Sequence, residues 1–272
     1  MIPPAHILLP VDFSERSLDA AAQAEVLARH FHAAVTVLHV VDPHENEFGR
    51  FERGGVKANE LEKLLANDFS GGSISRIVRD GEPAQEIVNV ATSNDVDLIV
   101  MASHGYRPFE SFLLGSVAGK VVNDANCPVW ISVQTEERTP PMFRKILCSV
   151  DLGPGTECVV DWASQFAAAF SSQLFVLHVF RSLESDEPPE CPDEWLSHTE
   201  REELDKVKRK LGKEVQNLFT GGEIPEAVCR EAKKLQADLL VIGRSPRADD
   251  VGITRSTVYT IIRQSLCPVV SI

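Results

Sequence analysis

The strongest constraint on this chain is that it is written twice. Residues 5–12, Ala-His-Ile-Leu-Leu-Pro-Val-Asp, form a short apolar run ending in Asp12, and residues 144–151, Arg-Lys-Ile-Leu-Cys-Ser-Val-Asp, form another ending in Asp151, 139 positions later. Val37-Leu38-His39-Val40 matches Val176-Leu177-His178-Val179 at the same offset. Asp97-Leu98 matches Asp238-Leu239 at 141, and Cys127-Pro128-Val129 matches Cys267-Pro268-Val269 at 140. Four ordered matches at a nearly constant offset indicate an internal duplication. The period is far beyond the roughly 20–50 residues of stacked repeats, so the repeated unit is a whole domain, and 272 residues suit two domains. We place them at 1–135 and 143–272, with Gln134–Met142 (Gln-Thr-Glu-Glu-Arg-Thr-Pro-Pro-Met) as the linker.

Within each unit, apolar runs of strand length alternate with helical patterns. In the first, Ile7–Val11 reads as a strand. A helix capped by Ser14 or Ser17 follows to about His30, with Leu18, Ala21, Ala22, Val26 and Leu27 near helical spacing. Further strands are expected at Ala34–Val41, Ser73–Val78, Leu98–Ala102 and Val129–Val133, with helices over Val56–Asn67, from Gly81-Glu82-Pro83 to Ser93, and over Val117–Val122. In the second unit the expected segments are Ile146–Val150, Glu157–Phe170, Gln173–Phe180, Glu200–Phe219, Pro225–Leu235, Leu239–Gly243 and Val269–Ile272. Residues 42–56 and Ser182–Ser197 read as polar inserts, the latter acidic and carrying Pro188, Pro189 and Pro192. Continuous apolar strands alternating with helices imply an α/β fold with a parallel sheet covered on both faces. In such sheets ligands bind at the carboxyl ends of the strands, where strand order reverses.

One stretch offers chemistry there. Leu98–Met101 ends abruptly in Ala102-Ser103-His104-Gly105, and Gly115-Ser116 precedes the helix that begins Val117-Ala118. A strand that stops in small residues and returns through Gly-Ser to a helix N-terminus can cradle a phosphate, because bare amides and the helix dipole both favour an anion. Glycine also lets the backbone approach a ligand. Each residue has a plainer reading beside this one. Asp12 at a strand end can cap the next helix or close a turn. His104 has no nucleophile in a recognisable setting beside it and reads as a polar loop histidine. His39 and His178, at matched places inside apolar strands, read as core histidines bonded to backbone, since metal binding needs more ligands nearby. His30 and His32 fall at a helix end and read as surface. Trp130, Trp162 and Trp195 read as packing residues, and the mixed charges of Glu200–Lys213 as a solvated helix face.

The motifs together resemble a tandem universal stress protein of the A type (the UspA family), over nearly the whole chain. The ATP-binding branch of that family carries Gly, two residues, Gly, nine residues, Gly, Ser/Thr at the fourth strand. Here the same spacing reads Ala102-Ser103-His104-Gly105, residues 106–114, Gly115-Ser116. Pro10-Val11-Asp12, Leu38-His39-Val40, Gly81-Glu82-Pro83 and Cys127-Pro128-Val129 agree with it as well. The resemblance implies two tandem Rossmann-like domains of the adenine nucleotide α-hydrolase kind, each a five-stranded parallel sheet flanked by helices, arranged as a pseudo-dimer through Val129–Val133 and Val269–Ile272. It implies ATP as ligand, with or without Mg2+. Asp12 would contact the ribose or adenine side, and the Val40 main chain would meet adenine. Gly105, Gly115 and Ser116 would hold the phosphates, with Pro10, Val11, Ala102, Ser103, His104 and Val117 completing the site. Ala102 departs from the pattern, and a left-handed backbone there would cost about 1 kcal/mol or more. The second unit departs further: its equivalent is Val241-Ile242-Gly243-Arg244-Ser245-Pro246, followed by Arg255-Ser256. Proline removes a donor, so the second domain reads as degenerate, although Arg244, Arg247 and Arg255 could attract an anion by charge.

Composition sets outer limits. The net charge of −13 argues against nucleic acid and anionic membranes as partners. No stretch approaches the roughly 18 apolar residues of a membrane span, and Met-Ile-Pro-Pro-Ala-His does not resemble a signal peptide. The six cysteines contain no CxxC pair, so free buried thiols and a cytoplasmic setting are expected. The chain has no Gly-x-x-x-x-Gly-Lys-Ser/Thr loop and no placed base with an acidic metal pair, so at most slow ATP hydrolysis is expected, with no catalytic residue and no metal-ligating set. The expected function is a stress-response or signalling protein that binds ATP in its N-terminal domain as a regulatory ligand, acts on an unidentified protein partner, and allows a homodimer of the tandem chain. The alternatives are a nucleotide-free pseudo-dimeric scaffold working through protein contacts and, more remotely, an enzyme of a related adenine-nucleotide fold.

Overall fold

The computed structural model describes residues 2–42, 73–103, 115–133, 142–180, 192–211, 216–244 and 255–272. The chain divides into two compact units, Pro4–Pro141 and Met142–Ile272, the latter grouped with Met1–Pro3. Among the described residues the first runs β1 (His6–Pro10), α1 (Glu15–Phe31), β2 (Ala34–Val41), β3 (Ile74–Asp80), α2 (Pro83–Ser93), β4 (Leu98–Ala102), α3 (Ser116–Asp124) and β5 (Val129–Ser132). All its strands are parallel, in the order β3-β2-β1-β4-β5. The order reverses between β1 and β4, which makes their carboxyl ends the switch point.

The elements form for local reasons. Ser14 is the N-cap of α1, and its side chain accepts from the Ser17 amide at 3.2 Å. The helix ends at His32, in the left-handed conformation with φ 56°. α2 starts with proline in its first turn, where no amide is needed, and the Glu82 carboxylate accepts from the Gln85 amide at 2.8 Å. Gly81 just before it has φ +154°, and a Cβ there would come within 2.8 Å of Glu86 Cγ, so the turn requires glycine. β1, β4 and β5 bury nearly every side chain, as strands covered on both faces do. Trp130 on β5 is fully buried and donates its indole N–H to Gln23 Oε1 at 2.6 Å.

The second unit runs β6 (Lys145–Val150), α4 (Thr156–Phe170), β7 (Gln173–Phe180), α5 (Pro192–Trp195), α6 (His198–Leu211), β8 (Gln216–Gly221), α7 (Ile224–Leu235), β9 (Leu239–Ile242), α8 (Arg255–Gln264) and β10 (Val269–Ser271). Its parallel order, β8-β7-β6-β9-β10, repeats the first. The register repeats too: Leu8 faces Ile99 in one unit and Leu147 faces Leu240 in the other.

Two expectations change. Glu200–Phe219 is not a single segment: the helix ends at Leu211, and Gln216–Gly221 is the third strand of the unit. That strand is half-buried at its start and has only Leu218 and Phe219 as large apolar residues, so its alternation is too weak to stand out from the helix before it. The expected insert Ser182–Ser197 is structured at its end, where α5 is followed by Leu196, only 3% exposed. The expected helix over Val56–Asn67, the insert at 43–56 and the linker at 134–141 lie outside the described residues.

Candidate functional site

The site forms at the carboxyl ends of β1, β2 and β4 in the first unit. Leu8 pairs with Ile99, and continuing that register brings Asp12 beside Ser103. The β1–β2 ladder closes with Val11 N–H donating to Leu38 O at 2.8 Å. Phe13 then takes φ 63°, a left-handed conformation that costs a bulky residue about 1–2 kcal/mol, and the chain leaves β2.

That turn exposes a peptide group. Ala34 N–H donates to Ala5 O, and Leu38 O accepts from Val11, so alternate residues of β2 face β1. Val40 is next in that series and lies beyond the end of β1. Among the described residues its N–H and C=O find no partner from the β1 side, which leaves a donor and an acceptor in the arrangement that a base edge requires.

Asp12 uses one carboxylate oxygen structurally. Its Oδ1 accepts from the Ser14 amide at 3.0 Å and from Ser14 Oγ at 2.6 Å, which orients the cap of α1. Its Oδ2 has no partner among the described residues. The turn-closing role therefore coexists with a free oxygen at the switch point.

Ala102 ends β4, paired with Ser132, in extended conformation. It is absent from the residues with positive φ, so the strain considered for this position does not arise. The second unit is tighter at this position. A Cβ on Gly243, the counterpart of Ala102, would stand 3.0 Å from Val159 Cγ2, whereas the counterpart of Val159 at the 139-residue offset is Ala20. Alanine at position 20 lacks the two γ-methyls that valine carries at position 159.

The Gly115–Ser116 end of the candidate site is built from main chain. Gly115 N–H donates to Ser103 O at 3.0 Å, which ties the two ends of the 104–114 segment together. Gly115 is the N-cap of α3 with φ −56°, and no side chain caps the helix. The first helical bond is Gly119 N–H to Gly115 O at 2.9 Å, so the amides of Ser116, Val117 and Ala118 have no acceptor among the described residues. No acidic residue occupies the first turn, and Ser116 is exposed. Three open amides at a positive dipole end suit an anion. Gly115 itself contributes its lack of a side chain, since its amide is already used. Pro10 and Val11 form the floor at the end of β1, while His104 and Gly105 lie outside the described residues.

The equivalent place in the second unit is different. Asp151 Oδ1 accepts from the Gly153 amide at 3.0 Å, and Leu152, like Phe13, is left-handed, with φ 56°. The Arg244 amide donates to Ile272 O at 2.8 Å and is unavailable to a ligand. Pro246 lies outside the described residues.

The paired histidines behave as core residues: His39 Nδ1 lies 2.8 Å from Val11 O and His178 Nδ1 3.1 Å from Val150 O. Burial holds the His178 pKa below its ordinary value, with Glu200 and Asp151 pulling the other way. Burial pushes the Cys148 thiol up to about 12. Trp195 overturns its expectation as a packing residue, since it is 62% exposed. Among the described residues no group of His, Cys, Asp or Glu could hold a metal ion, and no helix is long and apolar enough to cross a membrane. One feature was missed in the sequence, the exposed Trp195. Only the proline-flanked acidic stretch before Trp195 hinted that it leaves the core.

Comparison with known proteins bears on this geometry. Residues 5–132 and 142–272 each match the family model described as the universal stress protein family. A universal stress protein of Methanocaldococcus jannaschii is 36% identical over 136 residues, 46% of this chain and 79% of the relative. One from Mycobacterium bovis is 24% identical over 280 residues, covering 94% of this chain and 92% of the relative. A crystal structure of a universal stress protein from Archaeoglobus fulgidus aligns with a TM-score of 0.75 at 22% identity, covering 98% of this chain and 95% of that one, a likeness of fold.

Proposed function

Since the chain belongs to the universal stress protein family, we propose that its first unit binds ATP as a regulatory ligand. The observation that carries this is the row of amides at Ser116, Val117 and Ala118, without an acceptor among the described residues, beside the Ser103–Gly115 bond. The triphosphate lies on those amides with Ser116 Oγ as a further donor. Asp12 Oδ2 accepts from the ribose, and the base edge pairs with the main chain of Val40. The residues present suit the nucleotide as donor set against phosphate and acceptor against hydroxyl. Among the described residues no carboxylate cage for Mg2+ is present.

Nothing in the described site is placed to activate water, so nucleotide acts by changing conformation or partner affinity. Native mass spectrometry of the purified chain tests the proposal directly: a mass increment equal to an adenine nucleotide is expected. A saturating excess of ATP, about 100 times its Kd, raises stability by about 2.7 kcal/mol if one site binds the folded state alone. Gly115→Leu places a side chain in the hollow at a φ of −56° that leucine adopts freely, so it removes this gain and leaves the fold intact. A nucleotide-free chain with no ATP-dependent stabilisation favours the scaffold reading, to which the extra methyl of Ala102 and the commitment of Asp12 Oδ1 lend support.

A further inference from the structure

β3 stands at the end of the first unit's strand order and, among the described residues, pairs with β2 on one side only. Val35 N–H donates to Ser73 O at 2.9 Å, and Gly81 N–H donates to Val41 O at 3.1 Å. Every second residue of β3 therefore turns its main chain toward β2. The N–H and C=O groups of Ile74, Arg76, Val78 and Asp80 point the other way and have no partner among the described residues. Side chains alternate along a strand, so Arg76, Val78 and Asp80 also share one face. All three are exposed, Val78 by 38%. Neither Arg76 nor Asp80 has an ion pair or side-chain hydrogen bond among the described residues.

The matching edge of the second unit is occupied. Gly222 N–H donates to Phe180 O at 3.1 Å, so Gly221 carries the corresponding outward carbonyl of β8. Arg230 Nη2 donates to that carbonyl at 3.0 Å and to Thr220 Oγ1 at 3.1 Å. Gly81 and Gly222 are equivalent at an offset of 141, and the same offset puts Asn89 where Arg230 stands. Asn89 is bonded within its own helix, to Gln85 at 3.0 Å and to Glu86 at 3.3 Å, and the Asp80 carbonyl receives no such donor among the described residues. The other outward residues of β8, Asn217 and Phe219, carry no charge, whereas those of β3 carry one of each sign.

We infer that β3 pairs with β3 of a second copy of this chain, antiparallel about a two-fold axis at Val78. Such an interface is isologous, so each off-axis contact occurs twice. Val78 then faces Val78, and Arg76 faces Asp80 of the second copy, each pair exchanging main-chain hydrogen bonds in both directions. The side chains of Arg76 and Asp80 meet directly across the two strands, where opposite charges attract. The charges also fix the register. A slip one way sets Arg76 against Val78 and Asp80 against Ile74, and a slip the other way sets Arg79 against Arg79. Charged residues on an edge strand commonly keep other strands away. Here their order admits a strand of the same sequence running in the opposite direction, and a second copy supplies it. The pairing needs no nucleotide.

Sedimentation velocity of the full chain over a concentration series tests this pairing. Reversible self-association is expected, and it weakens as salt rises. Arg76→Asp and Asp80→Arg each set like charges face to face, and each is expected to weaken association by about tenfold or more. Mixed in equal amounts, the two variants are expected to pair with each other, because every reversed charge then meets its opposite. The double variant Arg76→Asp with Asp80→Arg is expected to regain the association of the parent for the same reason. Val78→Pro removes an amide that has no partner among the described residues, a change that an edge strand tolerates. It is expected to weaken association while the circular dichroism stays that of the parent. A parent chain that remains monomeric overturns the proposal, as does association that survives both charge reversals, or single variants that fail to pair when mixed.

Discussion

Ala102 and Gly243 occupy one position in two copies of a fold, and the side chain opposite decides which is allowed. Gly243→Ala drives a methyl against Val159 Cγ2 at 3.0 Å and is expected to cost about 1–3 kcal/mol, the usual range for overpacking. Val159→Ala in the same chain should recover most of that loss, since residues in contact are not additive. Urea denaturation of the two single variants and the double variant measures the coupling, and independent effects would break the argument. The thiols follow the same logic of surroundings. Burial raises Cys148 to about 12 and Cys267 to about 11, so neither forms thiolate at pH 8, whereas Cys158 is exposed. Alkylation of the native chain at pH 8 followed by peptide mapping should label Cys158 and spare Cys148 and Cys267.

Helix starts differ in how they are finished, and the proposed site uses the difference. α1 is closed by Ser14, braced in turn by Asp12, while α3 is left open at Gly115. Ser14→Ala should cost about 1 kcal/mol as an ordinary lost cap. It also removes the Ser14 Oγ bond to Asp12 Oδ1 while the backbone amide bond to that oxygen stays, so ATP affinity measured by calorimetry should change with the loosened carboxylate; a stability loss with unaltered affinity would separate Asp12 from the ligand. These starts were largely legible in the sequence, because Ser14, Pro83 and the Gly115-Ser116 pair carry their chemistry in their identity. β8 was not, since Gln216–Gly221 depends on its neighbour β7 for burial and has little pattern of its own. The segments 104–114 and 245–254 lie outside the described residues.

Across the whole chain, acid should act through His178. Its folded pKa lies below the ordinary value because burial disfavours the charged ring, despite Glu200 and Asp151. Below the unfolded histidine pKa, near 6.5, the unfolded chain takes up a proton that the folded one resists. Stability is therefore complete above that pH and declines as pH falls through the window beneath it. Denaturation midpoints at pH 7.5 and 5.5 should show this decline, and His178→Gln should reduce it; an unchanged slope would assign the decline to other groups. The sequence by itself determined the duplication, the alternating strands and helices, and the small residues that close the strands, because periodicity, strand-end composition and repeated motifs are properties of neighbours along the chain. Only the tertiary structure decided that Ala102 is unstrained, that Gly115 spends its amide on Ser103, that the Val40 peptide finds no partner from the β1 side among the described residues, and that Trp195 is exposed. Each of those depends on a partner many residues away, and no local pattern encodes the space between two side chains that meet only in the fold.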